Sequence, residues 1–403
     1  MTTTAYPHIL LQFLDESSFL WERYNAALFA PHYNSEKLAD LKERLEAQLG
    51  GLHSCDQDGW EAVLERICDN PVTGEIFTAS VLAINSAETN RIDTVQNAIT
   101  KPGHALELAS ALTWFSFERT KTFCDNFLES SSPLLQLAGL TAYAAIRENP
   151  GKYLDTALSS PDPHLRGCAL KMIGESGLAE KIPVAKTHFS DKDPTCAFRA
   201  AWSASLLGDT SAIQVLLQFL DKKFPFADEA AMVAIRKSGS NSGPSIIHEL
   251  TKSPDTIRWA IIGAGALGAI SNIPWLIDMM KQTTHSRIAG EAFSTITGLD
   301  IVRLHMDTDA PVDFEEAPND NPDDERVDLD ADYFLPWPDV NKVNAWWNEH
   351  AADFSPNTRY ICGKQIDKES LNDILANGYQ RQRYSVAIEL MALHQSETIL
   401  KVF

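Results

Sequence analysis

Two stretches of the chain say nearly the same thing. Pro163-His-Leu-Arg-Gly-Cys-Ala-Leu-Lys-Met-Ile-Gly-Glu-Ser-Gly177 and Pro194-Thr-Cys-Ala-Phe-Arg-Ala-Ala-Trp-Ser-Ala-Ser-Leu-Leu-Gly208 are each 15 residues long and start 31 residues apart. Each opens on proline, carries alanine six positions on (Ala169, Ala200) and closes on glycine. Self-similarity at this period predicts stacked helical units and excludes most other architectures. Forward, the register continues through Pro225, Ala231 and Gly239, through Pro254, Ala260 and Gly268, and through Thr284, Gly290 and Gly298. Backward it passes Pro133 and Gly139, then more weakly Gly103 with Ala109 and Thr73 with Ala79.

Each position has a physical reading. Proline belongs in the first turn of a helix, where its missing N–H would be unpaired anyway. The small residue lets a neighbouring helix approach, and glycine ends the helix in the left-handed conformation. A second amphipathic helix follows in each copy, as in 211–220, with Ala212, Val215, Leu216, Phe219 and Leu220 on one face, or in 274–281. The predicted fold is all-α, a solenoid of helical pairs, and the pairs resemble HEAT repeats, notably in the Leu206-Leu-Gly-Asp-Thr-Ser-Ala-Ile213 turn.

The ends depart from the repeat. Residues 8–30 read as one helix, covered by 35–49 with Asn34 or Ser35 as cap and Gly50-Gly51 as stop, and 58–68 makes a third helix around Trp60. Solenoids need capping units, so 1–70 reads as a helical cap and 71–305 as the repeats. From Met306 to Asp332 there are twelve acidic residues, one arginine and three prolines, which carry eleven of the 21 net negative charges. Such a composition predicts a solvated, flexible acidic linker. The functional alternative is a lure for a basic partner, and the EF-hand order of acids is missing. Residues 333–403 read as a returning helical module with Trp346-Trp347, Gly378 and Gln380-Arg-Gln-Arg383.

The candidate chemistry is thin. Gly263-Ala-Gly-Ala-Leu-Gly268 fits a dinucleotide-binding fingerprint after the strand-like Trp259-Ala-Ile-Ile262, but such a loop needs a parallel sheet around it. Its glycines also fall on repeat positions, so helix packing is the expectation, with an enzyme or nucleotide binder at Gly263–Gly268 as the alternative. His248-Glu249 is the chain's one His-Glu pair, and His53-x-Cys55 is its nearest approach to metal-ligand spacing. Ser238-Gly-Ser-Asn-Ser-Gly243 has asparagine where a nucleophile elbow needs serine and reads as an inter-helix loop. No catalytic, cofactor or metal set can be nominated, and the chain is expected not to be an enzyme.

Charge bounds the partners. With 55 acidic against 34 basic residues, a phosphate backbone is a poor ligand. The sequence shows no apolar run of membrane-spanning length and no signal peptide, and its six cysteines form no Cys-x-x-Cys, so a reduced cytoplasmic setting is expected. A binding solenoid uses the polar residues on its second helices, here Lys186, His188, Gln214, Gln218, His248 and Lys281. Trp346, Trp347, Arg381 and Arg383 are further candidates from the C-terminal module, the tryptophans either packed inward or serving as anchors.

Taken together, Phe19-Leu-Trp-Glu-Arg23, the central repeats and the tail Trp346-Trp-Asn-Glu-His350, Phe354, Arg359-Tyr360, Gly363, Gly378 and Gln380-Arg-Gln-Arg383 resemble a proteobacterial HEAT-repeat family of unknown activity. Its genes often stand beside type VI secretion genes. The resemblance implies a cytosolic accessory role, as adaptor or chaperone for an effector or spike component or as an immunity-type inhibitor of a toxin. It carries over no catalytic residues.

Overall fold

The computed structural model describes residues 7–68, 70–312, 314–315, 317, 319 and 329–392. They form an all-α solenoid of HEAT-like pairs, with strands only as two-residue ladders. The chain divides into two compact units, one up to Ser203 and one from Ala204.

In the first unit, α1 (Pro7–Ala27), α2 (Ser35–Ser54) and α3 (Asp56–Ile67) make the cap. Asn34 Oδ1 accepts from the Lys37 amide at 3.0 Å, so the cap of α2 is the one expected. Gly50-Gly51 does not stop that helix, which runs on to Ser54. Gly51 lies against the Phe13 ring, where any Cβ would collide. The residue is small to admit α1, and the modest helix penalty of glycine is overridden by that packing. Trp21 of α1 stacks on Phe77 at 3.6 Å and joins cap to repeats.

The pairs then follow: α4 (Thr73–Ser86) with α5 (Thr89–Ala98), α6 (Pro102–Thr113) with α7 (Phe117–Glu129), α8 (Pro133–Ile146) with α9 (Lys152–Leu158), and α10 (Pro163–Glu175) with α11 (Ile182–Thr187). Helix α12 (Pro194–Leu206) carries the chain into the second unit. The helix starts are built as the sequence requires. Asp162 Oδ1 accepts from the amides of His164 and Leu165 just ahead of Pro163. Asp193 does the same for Cys196 ahead of Pro194. Each supplies acceptors for backbone donors that a first turn leaves open.

The second unit holds α13 (Ser211–Leu216), α14 (Ala227–Leu250), α15 (Ile257–Leu267), α16 (Ile273–Met279) and α17 (Ser286–Thr297). Pro225 and Pro254 do not open helices here. The helices begin two and three residues later, at Ala227 and Ile257, and the prolines belong to the preceding turns. Helix α14 is two repeat helices joined at Gly239, whose φ of 59° and ψ of −163° break the spiral. The inter-helix element expected at Ser238–Gly243 is therefore this single break. Gly263-Ala-Gly-Ala-Leu-Gly268 lies on α15 and its C-terminus, not on a strand–turn–helix loop. A Cβ on Gly265 would lie 3.0 Å from the Ala292 Cα, and one on Gly263 would strike Ile235. Those glycines let α15 fit between α14 and α17, and the dinucleotide alternative has no strand to stand on.

The repeat register is visible in the backbone. Gly177, Gly208, Gly239, Gly268 and Gly298 all have positive φ. The small-residue positions Ala79, Ala109, Ala169, Ala200, Ala231 and Ala260 are all buried.

The C-terminal part comprises β1 (Asp307–Thr308) paired with β2 (Trp337–Pro338), then α18 (Val340–His350), β3 (Tyr360–Ile361) paired with β4 (Lys364–Gln365), α19 (Lys368–Asn377) and α20 (Gln380–Ala392). At its C-terminal end the acidic stretch is held against repeat helices rather than free in solvent. Asp332 is 5% exposed and accepts two bonds from Arg258, at 2.9 and 3.0 Å. Arg287 reaches Asp330 at 2.7 Å. Composition counts charges but does not see that repeat helices α15 and α17 present arginines to receive these two. Residues 313, 316, 318 and 320–328 of the stretch lie outside the described residues.

Candidate functional site

In the second unit, the second helices of successive repeats expose Gln214 on α13, Gln218 in the 3-10 turn after it, His248 near the end of α14 and Lys281 just after α16. Lys281 Nζ pairs with Asp278 at 2.6 Å, an exposed contact that a partner can exchange at little cost. In the first unit, α11 exposes Lys186, and His188 just after it is half-buried. The polar rows exist because each second helix is amphipathic: Ala212 and Leu216 of α13, and Ile247 of α14, point into the core.

His188 belongs to a built cluster. Its Nδ1 lies 3.0 Å from Asp191 Oδ2, while Arg166 donates to both Asp191 oxygens at 2.8 Å. The Arg166 guanidinium holds the Asp191 carboxyl well below the usual range. Cys196 stands close by, which brings Cys, His and Asp into one neighbourhood. The thiol, however, is buried, donates to the Pro163 carbonyl at 3.2 Å and is pushed up to about 12 by burial. A nucleophile must be thiolate, so this set is fixed for structure. All six cysteines are free thiols. Among the described residues no group of three or more His, Cys, Asp or Glu side chains is placed to hold a metal ion.

The four candidates from the C-terminal module turn inward. Trp346 and Trp347 both meet the ring of Phe293 on α17 edge-on, at 6.0 and 6.2 Å. Trp346 also stacks on His350, and Trp347 leans on Phe354. Arg381 pairs with Glu291 at 2.8 Å, and Arg383 donates to the Leu375 carbonyl at 2.7 Å. Adjacent tryptophans point about 100° apart on a helix, yet both rings reach the one phenylalanine. Trp346, Trp347 and Arg381 hold the module onto α17, and Arg383 ties α20 to α19 within it.

One buried polar cluster of the unit was invisible in the sequence. Glu389 on α20 accepts from Arg236 of α14 at 3.1 Å and from Arg359 at 3.0 Å through each of its oxygens. Arg236 also donates to the Ser385 carbonyl at 2.7 Å, and Arg359 to the Leu267 carbonyl at 2.8 Å. The partners are up to 153 residues apart, so no local signal could have paired them. Tyr384 adds a hydrogen bond to Glu229.

Residues 152–236 match a family model described as HEAT repeats. No curated protein matches the chain. Helical arrays of this kind commonly serve as protein-interaction scaffolds, with stacked repeats presenting one extended surface. Among the described residues, no helix is long and apolar enough to cross a membrane.

Proposed function

We propose that this protein is a non-enzymatic scaffold that holds another protein against the second helices of its repeats. The observation that carries this reading is the exposed polar row Gln214, Gln218, His248 and Lys281, set on successive repeats whose opposite faces are buried. Lys186 and His188 continue the pattern in the first unit. Many modest contacts spread over repeats suit an extended partner better than a small substrate.

The resemblance of both chain ends to the family encoded beside type VI secretion genes makes the partner, in this proposal, a secreted effector or spike component, with the chain as adaptor or chaperone. An immunity-type inhibitor of a toxin is the second reading, favoured by the net charge of −21, which suits a basic partner. Affinity capture on the full chain from its native host, followed by mass spectrometry, separates them. An effector or spike protein retained in stoichiometric amount supports the adaptor, and a basic toxin supports the inhibitor. Capture that the Gln214, Gln218, His248 and Lys281 quadruple alanine variant retains in full would overturn the second-helix surface.

A further inference from the structure

Among the described residues thirteen large apolar side chains are exposed, and six of them, Val302, Leu304, Val312, Leu329, Tyr333 and Phe334, fall between residues 302 and 334. Single exposed apolar residues need no explanation, but even scatter would place about one in so short a stretch. Phe334 is 51% exposed and meets Tyr333 edge-on at 5.1 Å.

These residues are displayed on an anchored frame. The β1–β2 pairing joins Asp307 and Thr308 to Pro338 and Trp337. Phe314 stands edge-on to Trp337 at 4.8 Å, and the Arg287 guanidinium covers both rings at 4.9 and 4.6 Å. Arg287 donates as well to the Asp332 carbonyl at 3.1 Å, and Arg258 holds the Asp332 carboxylate. With both ends bound, Leu329, Tyr333 and Phe334 project outward although Ala317 and Leu335 of the same stretch turn in. The field around them is negative. Asp307, Asp309 and Glu315 are exposed, the arginines nearby are committed to Asp228, Asp330 and Asp332, exposed Lys342 is paired with Asp339, and Arg303 is the one exposed lysine or arginine from 302 to 334 among the described residues.

We propose that this face docks a basic segment of a partner protein in which lysine or arginine alternates with apolar side chains. The apolar groups supply the buried contact and the carboxylates choose the sign of the partner. The face shares no residue with the second-helix row, so the two can be tested apart.

The probe is a fluorescein-labelled amphipathic peptide of lysine and leucine, titrated into the full-length protein by anisotropy. Binding is expected to weaken at least several-fold between 50 and 300 mM salt, as exposed charge attraction is screened. Replacing Leu329, Tyr333 and Phe334 together by serine is expected to weaken it at least about ten-fold at unchanged melting temperature. Val312→Ser, at a fully exposed position, gives a smaller loss and serves if the triple variant fails to fold. Equal binding by the serine variants, or by a peptide with serine for every leucine, would overturn the proposal. So would loss of peptide binding in the Gln214, Gln218, His248 and Lys281 variant alone.

Discussion

The amide of Tyr360 donates to the carbonyl of Gly268 at 2.8 Å, so the returning chain is hydrogen-bonded to the end of repeat helix α15. The next repeat is used in the same way, Cys362 and Gly363 donating to the carbonyls of Thr295 and Ile296 on α17. Helix ends leave carbonyls without partners, and here the C-terminal segment supplies the donors. Gly268 and Gly298 therefore serve twice, once for a positive φ and once for the close approach of another backbone.

Gly268→Ala is expected to cost about 2–4 kcal/mol, the sum of left-handed strain and displacement of the Tyr360 carbonyl. Gly239→Ala has nothing within 4 Å of the new Cβ, but its φ of 59° with ψ of −163° is a conformation essentially confined to glycine, so about 1–3 kcal/mol is expected there from strain alone. Thermal melting of each variant checks its value, and for Gly268→Ala a loss below about 1 kcal/mol would mean that the segment at Tyr360 does not press on α15.

Glu389→Ala should be among the most damaging single changes in the second unit. It strands Arg236, which is 3% exposed, and breaking a buried ion pair in this way costs about 3–5 kcal/mol. Joint replacement by Arg236→Met and Glu389→Leu should recover part of the loss, since these two apolar groups need no partner, while Arg359 loses its carboxylate and keeps the Leu267 carbonyl. Strict additivity of the two single changes in urea melts would show that the pair is not coupled.

Ala87 is expected to accept glycine with a gain of up to about 1 kcal/mol, because its φ is 57° and its side chain is exposed. A loss of stability comparable to glycine in a helix interior would place Ala87 in the right-handed region instead.

The same residue explains how far the repeat could be read. From Gly177 onward every copy closes on glycine, and all five of those glycines have positive φ. In two of the three earlier copies the closing position is held by Ala87 and Arg147, which adopt the same left-handed conformation, while the helix of the Gly103 copy ends at Thr113 with Trp114 right-handed. The exposed rows on the second helices were legible because amphipathic spacing shows which side is wet. Inward packing of Trp346 and Trp347 stood as one of two readings of the sequence, but the inward pairing of Arg381 and Arg383 was not legible, and neither was the Arg236–Glu389–Arg359 cluster. Contacts between residues far apart in sequence leave no periodicity to read.

Glu107 gives the first unit a pH dependence. Burial raises its carboxyl from 4.5 to about 7, with the negative charge of Glu22 adding to the rise and the Trp21 indole N–H, at 2.5 Å, opposing it. The folded state then prefers the proton more than the unfolded chain does. The stability is fully present below about pH 4.5 and is lost progressively up to about pH 7, by about 2–3 kcal/mol. Glu107→Gln keeps the acceptor for Trp21 and cannot ionise. The difference between wild-type and variant melts should follow that window, and a difference independent of pH would show that Glu107 is not buried as acid. Glu291, likewise raised to about 7 by burial, titrates in both proteins and cancels in the comparison.

The most direct test of the scaffold reading is the affinity of the captured partner, by isothermal titration calorimetry, for the full chain and for the variant with Gln214, Gln218, His248 and Lys281 replaced by alanine. At equal melting temperatures, a loss of at least about ten-fold, or 1.4 kcal/mol, is predicted. An unchanged dissociation constant would contradict the assignment of binding to the second helices.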